Sequence, residues 1–194
     1  EATEDELVAQ TTRRLDSFLA HGVTTVEGKS GYGLDLETEL KQLRAMKSLN
    51  ETHPIDLVPT FMGGHAVPQE YKGSEEQYID LLVNDMLPKV AEEGLAVFND
   101  VFCEVGVFTP EQSERILEAG KKLGLIPKIH ADEIESYGGA ELAAKVGAIS
   151  AEHLLKASDE GVRLMAEAGV IACLLPATAL YLREDAAKGR AMID

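Results

Sequence analysis

The 194-residue sequence has no tryptophan and only two cysteines, and its lysines and arginines number 18 against 34 acidic residues. The last two of these shortages each remove a class of protein. A formal net charge of −16 offers no positive surface for a nucleic-acid backbone or an anionic membrane, so neither is expected as a partner. Two cysteines cannot form a disulfide framework. Cys103 and Cys173 both lie in apolar runs and are expected to be buried, reduced thiols of a cytoplasmic protein. No apolar run approaches the roughly 18 positions of a transmembrane helix. No basic-then-apolar leader opens the chain, whose first residues, Glu1 to Glu6, are mostly acidic. The chain does not begin with Met, so an upstream part is expected.

What remains is a regular alternation of amphipathic helix and short apolar strand. Leu7, Val8, Thr11, Leu15, Phe18 and Leu19 recur at helical spacing and Gly22 stops them, before the β-branched run Val23 to Val26. Leu36, Leu40, Leu43, Met46 and Leu49 mark a second helix to about Asn50, and Ile55 to Phe61 a strand. Ser74 with Glu75 to Gln77 reads as a helix start, continued by Ile79, Leu82, Val83, Met86 and Leu87. Ala96 to Glu104 is a strand, and Thr109-Pro110-Glu111-Gln112 opens a helix with proline in its first turn. Ile126 to Ala131, Ile149 to Leu155 and Val170 to Leu175 supply three more strands. About six strand–helix units without a hairpin signal imply a parallel sheet, and strands that read as nearly all apolar imply burial on both faces. An open doubly wound sheet and an (α/β) barrel both fit. The barrel is favoured, because Gly28, Gly31 and Gly33 do not give the G-x-G-x-x-G order of a dinucleotide turn.

Reactive groups gather at the strand ends. Glu27, Lys29 and Tyr32 follow the first strand, His65 the second and Glu104 the third; His130, Asp132 and Glu133 close the fourth, Glu152 and His153 the fifth. In a parallel barrel these ends meet at one mouth. His21 and His53 precede strands and are expected at the opposite, structural end. Taken singly, His130 is either a core histidine or a metal ligand, and His153 either a strand-end cap or an acid–base group. Glu104 and Lys29 are as readily a strand-end carboxylate and a solvated amine, while Asp132 or Glu133 could act on a substrate or support a metal ligand from behind. Imidazoles and carboxylates at one mouth suit metal-assisted hydrolysis better than phosphoryl transfer.

Several stretches closely resemble the imidazolonepropionase family of the amidohydrolase superfamily: Glu27-Gly28-Lys29-Ser30-Gly31-Tyr32-Gly33-Leu34, Pro59 to Pro68 with its Gly63-Gly64-His65 core, Lys128-Ile129-His130-Ala131-Asp132-Glu133, Ser150-Ala151-Glu152-His153-Leu154, and Leu174 to Thr178. The resemblance covers essentially the whole chain, in order. It implies an α/β protein, the central segment (residues 1–194) of a TIM-type (β/α)8 barrel comprising strands two to seven. It implies His130 as a metal ligand, Glu133 as a substrate contact and proton carrier, and His153 as support for the attacking water and the developing charge. Tyr32 and His65 would hold the substrate ring and its propanoate. Ala177 and Leu180 depart from the family pattern, where glycine and an aromatic are expected.

No two of the five histidines are two apart, so the family's His-x-His metal motif has no counterpart here. The resemblance places the remaining metal ligands, and an arginine for the propanoate, outside this chain. The implied cofactor is one zinc or iron ion, and a homodimer is left open. The implied reaction is hydrolysis of the cyclic amide C–N bond of 4-imidazolone-5-propanoate to N-formimidoyl-L-glutamate in histidine degradation, by the complete enzyme. Two other readings stand beside it: a related amidohydrolase or deaminase acting on a cyclic amidine or formimino substrate, and a non-catalytic barrel fragment.

Overall fold

The computed structural model of the chain describes residues 2–194. Helix α1 (Glu4–Ala20) opens on a capping box in which Thr3 and Glu6 satisfy each other's backbone N–H groups. Strand β1 (Thr25–Lys29), helix α2 (Leu36–Thr52) and strand β2 (Asp56–Gly64) follow. Next come α3 (Glu75–Leu81), a π-helical turn over Leu82–Met86 and α4 (Leu87–Glu92). The chain then alternates through β3 (Phe98–Cys103), α5 (Pro110–Lys122), β4 (Ile126–Ala131), α6 (Gly139–Val146), β5 (Ser150–His153), α7 (Asp159–Ala168) and β6 (Ile171–Cys173). Helices α8 (Pro176–Leu182) and α9 (Gly189–Ile193) end it.

The six strands pair in parallel in the order β1-β2-β3-β4-β5-β6. Sequential pairing with a helix at each crossover curls the sheet in one direction, giving a half-barrel with helices on its convex face. Phe61, Val101, Ile129 and Ala151 point to that face and pack against Leu43, Ile79, Leu82, Met86 and Ile116 in one core. A smaller cluster of Leu15, Leu49, Ile55 and Leu57 seats α1 and α2 over the first two strands.

The helix openings match the sequence. Thr109 and Gln112 form a second capping box ahead of Pro110. Three details differ. Ser74 heads α3 without accepting a capping bond, and its hydroxyl donates to the Tyr71 carbonyl instead. The π-helical turn was not legible: Pro88 brings no N–H and its ring crowds the Asn84 carbonyl, which the wider turn accommodates. The strands are not apolar on both faces either. Glu27, Lys29, Thr60, Asp100, Lys128, His130, Ser150 and Glu152 point to the concave side, and the flanking residues hid that alternation.

Cys103 is buried as expected, but Cys173 is exposed. It lies on β6, an edge strand paired on one side only, so nothing among the described residues covers it. No helix among the described residues is long and apolar enough to cross a membrane.

Candidate functional site

The C-terminal ends of β1 to β5 meet at one mouth. The Tyr32 hydroxyl lies 2.8 Å from His65 Nε2. The His65 ring centroid is 5.6 Å from that of His130, which is 5.2 Å from that of His153. His153 Nδ1 is 3.4 Å from Glu133 Oε1. All five residues singled out from the sequence thus form one continuous line across the mouth. Phe102 stacks on His65 at 5.3 Å and walls the floor. His21 and His53 cap the C-terminal ends of α1 and α2, at the other end of the sheet.

Unusual backbone holds two of these residues. Tyr32 has φ +57 and follows Gly31 at φ +124, where a Cβ would meet the Met62 carbonyl at 3.2 Å. The buried Glu39 carboxylate fixes this loop by accepting the N–H groups of Gly33 and Leu34. His153 and Leu154 are both left-handed, at φ +73 and +56. Such residues cost on the order of 1–3 kcal/mol each and persist where the surroundings over-determine them. Here the anchors are the Leu154 N–H on the Ala131 carbonyl and the fully buried Leu154 side chain.

Two carboxylates left open by the sequence prove to organise loops. Asp132 accepts four backbone N–H groups, from Tyr137, Gly138, Gly139 and Ala140, and so closes the start of α6. Glu104 accepts those of Val105, Ile134 and Glu135, next to Glu133. Both are committed to backbone N–H groups, whereas Glu133 accepts none among the described residues. Lys29 is no solvated amine: it bridges Glu27 and Asp100, at 2.7 Å each.

Sequence reasoning missed Asp100. It is fully buried and bonds His130 Nδ1 at 3.0 Å. The available signal was a lone acid inside an apolar strand. Below the mouth the concave floor is an ion-pair chain. Glu27 accepts from Thr60 at 2.5 Å and Lys128 at 2.8 Å, and Lys128 lies 3.0 Å from Glu152, which also accepts from Ser150 at 2.9 Å.

The electrostatics divide the histidines. Burial and the neighbouring His130 pull both His65 and His153 down to about 4, so they are neutral imidazoles near pH 7. Burial also opposes charge on His130, but the Asp100 carboxylate outweighs it and the shift is upward. Burial raises Glu133 above the usual carboxylate range. A partly buried carboxyl group of raised pKa beside a neutral imidazole is the kind of pair that serves proton transfer.

His130, Asp100 and Glu152 place one ligand atom each within 4.8 Å of one another. As a metal cage this trio would have to displace Lys29 and Lys128, which already neutralise its carboxylates. His130 Nε2, by contrast, has no hydrogen-bond partner among the described residues, so it is the open donor of the group.

No protein-family model matches the chain. Among curated proteins, imidazolonepropionase from Brevibacillus brevis is 67% identical over 193 residues, covering 100% of this chain and 46% of that protein. The imidazolonepropionases of Geobacillus kaustophilus and Clostridium tetani are 63% and 61% identical, each over 194 residues with the same coverage. The chain thus spans just under half the length of the curated relatives it matches. Among solved structures, adenine deaminase from Arthrobacter aurescens superimposes with a TM-score of 0.72 at 18% identity, over 100% of this chain and 60% of that one. An adenosine deaminase from Xanthomonas campestris with bound zinc gives 0.65 at 16% identity, over 100% and 44%. A variant of atrazine chlorohydrolase from Arthrobacter aurescens, complexed with zinc and atraton, gives 0.69 at 16% identity, over 97% and 46%. At such identities the likeness is one of fold alone.

Proposed function

We propose, from the premise that this chain belongs to the imidazolonepropionase family, that its strand-end mouth is the central part of a hydrolytic active site. The reaction is opening of the ring C–N bond of 4-imidazolone-5-propanoate to N-formimidoyl-L-glutamate. The observation that carries this reading is the unbroken line Tyr32–His65–His130–His153–Glu133 across one end of the sheet.

His130 is the residue proposed to hold a metal, through its open Nε2. A lone imidazole donor suits one position of a zinc or iron site, and two of the structural neighbours carry zinc. A catalytic zinc typically takes three protein ligands, so on this reading the others come from parts of the protein outside residues 1–194. Bound there, the ion supplies Lewis acidity, polarising a carbonyl and acidifying water.

The remaining work falls to this chain's side chains. Neutral His153 places an imidazole where an N–H can meet the charge that develops on the ring oxygen. Glu133, whose pKa burial raises, is the carboxyl group proposed to carry a proton to the departing ring nitrogen. Tyr32 and His65, set edge to face with His65 backed by Phe102, form a corner against which the imidazolone ring can lie.

The test uses a full-length chain that carries this segment. His130→Ala is expected to lose bound metal and ring-opening activity in parallel, while Glu133→Gln keeps metal and loses activity by at least about 100-fold. Full occupancy and normal turnover in His130→Ala, or release of ammonia in place of a formimidoyl product, would overturn the assignment.

A further inference from the structure

We propose that Asp100, held by Lys29, is the positioning residue of this site: it fixes His130 in the Nδ1–H tautomer and so keeps the Nε2 lone pair turned to the mouth. The proposal rests on the reading of His130 as a metal ligand given above. Asp100 is fully buried and both its oxygens are engaged, Oδ1 with His130 Nδ1 at 3.0 Å and Oδ2 with Lys29 Nζ at 2.7 Å. An ionised carboxylate only accepts, so the nitrogen facing it must carry the proton, and in the neutral ring the other nitrogen is then bare.

Lys29 fixes the direction of this arrangement. An ammonium group only donates, and its second contact, with Glu27 Oε1 at 2.7 Å, ties it to Lys128 and thence to Glu152. Asp100 therefore cannot rotate away from His130 without giving up its ion pair with the half-buried Lys29. The same pairing argues against Asp100 and Glu152 as ligands in their own right, although both lie within 4.8 Å of a His130 nitrogen. Partners of this kind on a ligating histidine set its tautomer and orientation, and losing one typically costs about 10- to 100-fold in metal affinity.

The geometry makes a sharp demand on Asp100→Asn, which is nearly isosteric. Lys29 offers only donors, so it draws the Asn carbonyl to itself and turns the amide NH2 toward His130 Nδ1. Nδ1 must then accept, and the ring proton moves to Nε2, where it blocks the metal. Adding Lys29→Met removes that pull and lets the carbonyl return to His130. The experiment is 15N–1H NMR of histidine-labelled, metal-free full-length protein at a pH where the ring is neutral, with zinc affinity measured against a competing chelator.

Wild type is expected to show Nδ1–H. Asp100→Asn is expected to show Nε2–H with zinc affinity down about 10- to 100-fold, and the double variant to regain Nδ1–H and at least about tenfold in affinity. If Asp100→Asn does not fold, Lys29→Met alone serves, and must retain Nδ1–H. Asp100→Asn that keeps Nδ1–H, a double variant without recovery, or Lys29→Met that loses Nδ1–H would each overturn the proposal. Full zinc occupancy in His130→Ala would instead overturn the metal assignment beneath it, and the metal-free tautomer result still decides the role of Asp100.

Discussion

The two faces of the same sheet are built to opposite rules. On the convex side Phe61, Val101, Ile129 and Ala151 are fully buried against helices. One residue along, on the concave side, Thr60, Asp100, Lys128, His130, Ser150 and Glu152 are buried too, yet all are polar or charged. Burial alone therefore says little about what a position does. The convex side chains hold the fold by removing apolar surface from water, the larger ones worth about 1.5–3 kcal/mol each. The concave ones are paired with each other, and buried ion pairs are weak evidence of stability because desolvation offsets much of their attraction. What such pairing secures here is the orientation of groups at the mouth.

Truncation on the convex face should produce the largest loss of stability. Phe61→Ala empties a fully buried site and is expected to cost about 3–5 kcal/mol, read by denaturant unfolding of the full-length protein. A cost below about 1 kcal/mol would mean that the convex core is not what holds these strands.

On the concave face the expected signature is coupling. Lys128→Met leaves the Glu152 and Glu27 carboxylates without their shared cation, and should cost about 3 kcal/mol. Adding Glu152→Gln removes one stranded charge and should recover more than half of that loss. Additive losses would show that Lys128 and Glu152 are packed side by side without being paired.

A smaller effect comes from pH and is carried by the rings at the mouth. His65 and His153 have folded pKa values near 4, below the ordinary 6.5. As pH falls below 6.5 the unfolded chain takes up protons first, so the stability contributed by these two neutral rings is fully present above that value and is lost between about 6.5 and 4. His130 runs the other way, its contribution present below 6.5 and lost as pH rises through its raised folded value. Imidazole titration by NMR should show His65 and His153 with midpoints well under 6. A midpoint at 6.5 for either would place that ring in open water and break the picture of a desolvated mouth.

Much of the molecule was legible because its signals are local. Thr109, Pro110 and Gln112 mark a helix start by side-chain chemistry within four residues, and the strand ends carry their histidines in plain sequence. Asp100 and Lys128 were not read as site elements because each sits among apolar or aromatic neighbours, Phe98, Val101 and Phe102 around one and Ile126 and Ile129 around the other. Only the curl of the sheet reveals that these residues share a face. Asp132 and Glu104 were left open for another reason: a carboxylate that gathers backbone N–H groups has the same letter as one that meets a substrate. The Tyr32–His65 hydrogen bond joins residues 33 apart, a contact that no spacing rule reaches.

The smallest effects should come from the histidines at the far end, and they decide whether the comparison of faces also holds between the two ends of the sheet. His21 is exposed, and its ring bonds the Ser17 carbonyl one turn back in its own helix. Replacing it by alanine should change stability by no more than about 0.5 kcal/mol. His53 matters slightly more, because its Nδ1 accepts the Ile55 N–H at 3.1 Å and its Nε2 meets Asp16 at 3.2 Å, stapling the turn into β2. Its loss should cost about 1 kcal/mol. Both lie before the strands they precede, away from the line of rings at the mouth, so neither substitution has a route to the reacting atoms. Turnover per folded full-length molecule should therefore stay within twofold of wild type in both variants. A hundredfold loss of turnover in either, with fold and metal content intact, would show that chemistry is not confined to the C-terminal strand ends.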